Sequence, residues 1–84
     1  MFFVYVIKSR IKKYIYVGIT ENVERRVKEH NWGKQKSTKP YLPFDLIRQE
    51  SFESRSAARF REKKLKSGFG KEWINLLLLR QHIQ

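Results

Sequence analysis

The chain has 84 residues, with 19 Lys and Arg against eight Asp and Glu for a formal net charge of +11, and it has no cysteine. That length leaves room for one domain spanning residues 1–84 and one modest core, and the missing cysteines exclude disulfide reinforcement and a thiolate zinc site. A positive charge this dense seeks a polyanion, and nucleic acid ranks well above an anionic membrane because the basic residues are spread over several segments, not gathered on one amphipathic helix.

Residues 2–8 and 14–19 are short, rich in β-branched and aromatic residues, and separated by the polar stretch from Ser9 to Lys13, a pattern that predicts an antiparallel hairpin. The apolar N-terminal run lacks a preceding basic region and is followed at once by Lys8 and Arg10, so it does not read as a signal peptide. From Asn22 to Trp32 the pattern turns helical, with Thr20 or Asn22 as the N-cap and Gly33 just beyond the end. Gly33 to Pro43 carries Lys34, Lys36 and Lys39, both prolines and no acid, and reads as a basic loop.

Phe44 to Phe52 is expected to form a third strand despite Asp45 and Glu50. Ser54 or Ser56 opens a second helix that runs to Lys66 and stops at Ser67-Gly68. A last helix, near Lys71 to Gln81, places Trp73, Ile74, Leu77 and Leu78 on one stripe. Its apolar run from Trp73 to Leu79 contains Asn75 and is too short to cross a bilayer. The expected fold is α+β: a small three-stranded antiparallel sheet flanked by helices, order ββαβαα. The chain is expected to be soluble and cytoplasmic, with no membrane partner and any protein partner left open.

Two helices carry polar residues on the face that should pack. Val23, Arg26, Val27 and His30 share one side of the first, and Glu62 falls four residues after Ala58 and three before Leu65 in the second. Taken alone, Arg26 reads as a snorkelling edge residue, His30 as a satisfied core histidine and Glu62 as half of an i,i+4 ion pair. A carboxylate on the packing face of a very basic helix nonetheless calls for a cation. One carboxylate suits Mg2+, or Mn2+, which keeps several waters and takes further ligands from a phosphate. Arg26 would then neutralise charge growing on that phosphate. Tyr5 and Tyr16 fall on the two hairpin strands, where either can simply pack or can orient an attacking water.

Phe3-Val4-Tyr5, then Tyr16-Val17-Gly18, Thr20, Arg26 and His30 resemble the paired signature of the GIY-YIG nuclease superfamily. The run from Ser56 to Gly68 looks like the second block of its small stand-alone bacterial members, and the likeness covers nearly the whole chain. The resemblance implies a metal-dependent DNA endonuclease, with repair or recombination as its setting. It implies that Tyr5 and Tyr16 flank the attacking water, Arg26 contacts the scissile phosphate, Glu62 holds the metal and His30 assists. Lys34, Lys36, Lys39, Arg61 and Lys66 are the expected nucleic-acid contacts. The first tripeptide has Phe3 in place of Gly, and Ile19 stands where the excision-repair branch often has Lys, which removes a cation from beside Tyr16. Asn75 is a weaker carry-over from members in which an Asn follows the Glu. The competing reading is a non-catalytic nucleic-acid-binding module, and the charge alone does not separate DNA from RNA.

Overall fold

The computed structural model describes the backbone of residues 1–83 and the side chains of residues 1–80. Strands β1 (Phe2–Ser9) and β2 (Ile15–Thr20) precede helix α1 (Val23–Asn31). A 3-10 turn (Lys39–Tyr41), β3 (Phe44–Phe52), α2 (Arg55–Lys66) and α3 (Gly68–Ile83) follow. The sheet is antiparallel with order β2-β1-β3, so the α+β class and the ββαβαα order expected from the sequence are those of the protein. Among the described residues no helix is long and apolar enough to cross a membrane.

The central place of β1 explains its sequence. Val4, Tyr5, Val6 and Ile7 are all buried, because a strand covered on both faces alternates between two cores and not between core and water. Val4 and Val6 join Val17, Ala58, Leu65 and Ile74 under α2 and α3. Tyr5 and Ile7 face the other way, with Val23 and Phe44, under α1 and the basic loop. The polar residues of β3 suit an edge strand: Asp45 meets Arg10 at 2.6 Å and Glu50 meets Arg48 and Arg61 at 2.7 Å each, where such charges discourage further strand pairing.

Local chemistry sets the ends of the elements. Asn22 accepts from the Arg25 N–H at 3.0 Å and Ser54 from the Ala57 N–H at 3.2 Å, which settles both N-caps. Gly33, at φ 76°, closes α1: its N–H donates to the His30 carbonyl and the Lys34 N–H to that of Glu29, so the chain turns back sharply over the sheet. The third helix starts at Gly68, three residues before the expected Lys71. Ser67 caps the end of α2 through its N–H and the start of α3 through its hydroxyl, which accepts from the Gly70 N–H at 3.2 Å. Gly68 reads as part of the helix stop in the sequence, yet α3 begins on it, and Gly70 two residues on is needed for approach: a Cβ there would lie 2.3 Å from the Lys64 carbonyl oxygen.

Gly18 answers to Tyr5. The two are partners in the β1–β2 register, and a Cβ on Gly18 would sit 2.6 Å from the Tyr5 hydroxyl. Gly18→Ala is therefore expected to cost about 1–3 kcal/mol of stability by displacing the ring. Urea unfolding measures this, and a loss below about 0.5 kcal/mol would mean the ring moves aside freely.

Candidate active site

The strand register brings Tyr5 and Tyr16 onto one face of the sheet, ring centroids 6.1 Å apart, and α1 places His30 against both, at 5.8 and 4.9 Å. Tyr5 is 1% exposed and His30 0%, whereas Tyr16 is only half-buried. The two phenols thus differ in access: Tyr5 lies behind, Tyr16 in front.

Behind them runs a closed chain of hydrogen bonds. The Thr38 hydroxyl donates to the Gln35 carbonyl at 3.3 Å and accepts from His30 Nδ1–H at 2.9 Å, which leaves Nε2 to accept from the Tyr5 hydroxyl at 2.9 Å. Burial, and then the neighbouring Tyr16, push the Tyr5 phenol up to about 12, with Arg26 pulling the other way, so Tyr5 stays a donor at neutral pH. Burial and Arg26 bring His30 down to about 4, with Glu29 opposing, and its imidazole stays neutral.

Unfolded, His30 takes up a proton near pH 6.5; folded, it resists until about 4. Between those values the unfolded state binds more protons, so stability should fall by up to about 3 kcal/mol as pH drops through that window. Urea midpoints across pH 7 to 5.5, above the range where the unfolded chain's carboxyls take up protons, test this. His30→Gln should flatten the slope, and an unchanged slope would assign it elsewhere.

In front, Arg26 donates to Glu29 at 3.0 Å and to the side-chain carbonyl of Gln35. The Gln35 amide then reaches the Tyr16 hydroxyl at 3.4 Å and Ser37 at 2.8 Å. Gln35 therefore ties guanidinium to phenol, while its own carbonyl anchors Thr38. Sequence reasoning missed both residues. Gln35 sits between two lysines in what reads as a solvated loop, and neither charge nor periodicity marks it or Thr38.

Glu62 stands on α2, against the opposite face of the sheet, and comes toward this cluster through Lys66. It is 7% exposed, meets Lys66 at 3.1 Å and Arg59 at 3.5 Å, and its charge is felt at Tyr5. Lys66 lies 5.9 Å from the Tyr16 ring, so α2 supplies a cation beside that phenol where Ile19, packed into the other core, does not. Among the described residues no three His, Cys, Asp or Glu gather into a cage. The hard oxygens of one buried carboxylate fit an ion such as magnesium that completes its shell with water and substrate phosphate.

The other candidate residues are dispersed. Lys34, Lys36 and Lys39 are exposed on the loop over the tyrosine face, with Lys34 3.6 Å from Glu29. Arg61 turns away from the tyrosines: it pairs with Glu50 and stacks 5.0 Å from the Trp73 ring. Asn75 is exposed on α3.

The family model described as "GIY-YIG catalytic domain" matches residues 1–75. The chain is 46% identical over 66 residues to a UPF0213 protein of Natronomonas pharaonis, covering 77% of this chain and 76% of that one. It is 42% identical over 66 residues to a UPF0213 protein of Staphylococcus haemolyticus, covering 77% and 79%. The solution NMR structure of a UPF0213 protein from Bacillus halodurans superposes with a TM-score of 0.54 at 33% identity, covering 92% of this chain and 85% of that one.

Proposed function

The chain belongs to the GIY-YIG catalytic-domain family, and from that premise we propose that it is a divalent-metal-dependent endonuclease that hydrolyses phosphodiester bonds in DNA. The observation that carries the reading is the joined pair of networks around Tyr16. One holds Tyr5, His30 and Thr38 rigid behind it, and the other binds it to Arg26 through Gln35. A family match alone would set only a prior; residues of matching chemistry meeting in space argue for the activity.

In this reading Tyr16 hydrogen-bonds the attacking water and turns its lone pair toward phosphorus; as the new P–O bond forms and the bond to the leaving oxygen breaks, the proton of that water passes to solvent at the half-exposed Tyr16. Arg26 donates to a non-bridging phosphate oxygen, on which negative charge grows in the transition state. Tyr5 stays protonated and, locked to His30, keeps the pocket in register without taking the proton itself. Glu62 would hold the metal, which supplies Lewis-acid polarisation of the phosphate and relief of charge on the leaving oxygen. Lys66 balances Glu62 and adds positive potential at the mouth. Work in DNA repair or recombination, in the cytoplasm, is the setting proposed for this activity.

The test is cleavage of labelled duplex, flapped and single-stranded substrates with magnesium, with manganese and with chelator. Cutting that requires the metal supports the proposal. Binding that weakens with salt, without cutting under any of these conditions, would replace it with a non-catalytic binding module.

The loop lysines give an independent measurement. Replacing Lys34, Lys36 and Lys39 together by Ala should weaken binding to all sequences alike. It should also flatten the plot of log affinity against log salt by about one unit for each phosphate that is no longer neutralised. An unchanged slope would take the loop out of the interface.

A further inference from the structure

Glu29 lies off the packing stripe of α1 in the sequence, where a glutamate belongs to a solvated surface. In the folded protein its side chain is only 17% exposed, because Gly33 turns the chain back and the Lys34 N–H donates to the Glu29 carbonyl, which lays Lys34 and Gln35 alongside the helix. Three cations stand around the carboxylate: Arg26 at 3.0 Å, Lys34 at 3.6 Å and Arg25 at 3.9 Å. The side chains of Lys34 and Arg25 are more than half exposed, and pairs of that kind contribute little. The bond to Arg26, whose side chain is 30% exposed, is the one its surroundings shield.

A guanidinium has about five N–H donors in a rigid fork. Arg26 gives one from Nη1 to Glu29 and one from Nη2 to the side-chain carbonyl of Gln35. The two acceptors come from different elements, α1 and the loop after it, and each takes one terminal nitrogen. A planar group gripped at both terminal nitrogens does not turn freely about its Cζ–Nε bond, so the N–H groups it keeps point in fixed directions. The rotamer entropy of the side chain, about 2 kcal/mol, is then lost on folding and not on meeting phosphate. The charge of Glu29 works the other way, since a carboxylate beside a phosphate-binding guanidinium weakens its pull on phosphate. What Glu29 contributes there is orientation.

We propose that Glu29 is a positioning residue of the cleavage reaction: with Gln35 it holds the Arg26 guanidinium so that the remaining N–H groups face the scissile phosphate, and it acts on the rate through that orientation and not through its charge. The proposal rests on the nuclease reading above and adds to it the residue that aims the guanidinium. Glu29 itself touches neither substrate nor metal.

Two near-isosteric variants of the full chain separate reach from charge. Glu29→Gln keeps the length and an acceptor oxygen and loses the charge. Glu29→Asp keeps the charge but is one methylene shorter, so the guanidinium must swing to follow it. Single-turnover cleavage at saturating protein is expected within about threefold of the parent for Glu29→Gln and at least about tenfold slower for Glu29→Asp, since a misplacement on the ångström scale is enough for such a loss. Affinity for the same labelled DNA, by anisotropy, should change by no more than about twofold in either, because no phosphate contact is removed. Rotation of the Arg26 guanidinium about Cζ–Nε, followed by 15N NMR without metal or DNA, should be slow in the parent and in Glu29→Gln and faster in Glu29→Asp. The reverse order of rates, with Glu29→Asp active and Glu29→Gln slow, would make the charge the active feature and overturn the proposal. Parental rates in both variants would overturn it as well, as would a slow Glu29→Asp whose guanidinium turns no faster than the parent's. In each of these cases the parent still cuts and the nuclease reading stands, whereas a parent protein that cuts nothing with any metal would remove both.

Discussion

Tyr16→Phe is expected to slow single-turnover cleavage by at least about 100-fold, with nucleic-acid affinity changed by no more than about twofold. The substitution deletes one oxygen and leaves the ring, which keeps its packing at 6.1 Å from Tyr5 and 4.9 Å from His30. Among the described residues, Gln35 is the side chain that reaches that oxygen, at 3.4 Å, and its amide retains the shorter bond to Ser37. The substitution orphans no buried partner there, so stability should barely move and the rate loss is attributable to the missing hydroxyl. Tyr5→Phe is the contrasting variant. It breaks the buried bond to His30, and its first effect should be on folding, about 1–3 kcal/mol. If Tyr16→Phe cuts at the parental rate, the front phenol has no part in the chemistry and the assignment of front and rear must be abandoned.

The second large effect is expected at Glu62. Glu62→Gln keeps the shape and removes the charge, and metal-dependent cleavage should fall by about 1000-fold, the scale on which a metal stabilises a phosphoryl transition state. Binding should move the other way or stay level, since one negative charge leaves a surface that meets phosphate. The fold should survive, because the partners released, Lys66 and Arg59, are more than half exposed and ion pairs of that kind contribute little. Rates measured across a magnesium titration, beside anisotropy on the same probe, separate the effect on catalysis from the effect on binding. Retention of cleavage within about threefold of the parent would reduce Glu62 to an anchor for two basic side chains.

Of the residues in these two expectations, Glu62 is visible in the sequence as an anomaly and Tyr16, an ordinary strand residue by its neighbours, is not. Glu62 stands out because Ala58 and Leu65 place it on a packing face, and it is in fact buried. Arg26 and His30 stand out for the same reason on α1, where Arg26 is half-buried and His30 fully so. These are consequences of helical periodicity and need no tertiary information. The plainer reading of Glu62 also holds as far as it goes, since it does pair with Lys66 at i,i+4. The carboxylate is buried and paired at once, and only the neighbourhood of the tyrosines distinguishes it from an ordinary surface pair.

Gln35 and Thr38 mark the opposite limit. Both lie in a stretch dominated by lysine, proline and serine, yet Thr38 is buried against His30 and Gln35 links Arg26 to Tyr16. Their positions follow from Gly33 folding the loop back over the sheet. The same gap explains α3, where Ser67-Gly68 argued locally for a stop and the next helix begins at Gly68 regardless, with Gly70 in a close contact with α2 that admits no side chain.

By itself the sequence determined the kinds and order of the elements, two candidate residues for each of the first two N-caps, and the anomalous polar residues on two packing faces. Each of these depends on neighbours within a turn or two of the chain. The tertiary structure alone decided that Tyr5 lies behind Tyr16, that Lys66 supplies the cation Ile19 lacks, and that Arg61 turns away. Those outcomes depend on strand register, on which strand lies at the sheet edge and on how loops close, which are relations between residues far apart in sequence that no local pattern carries.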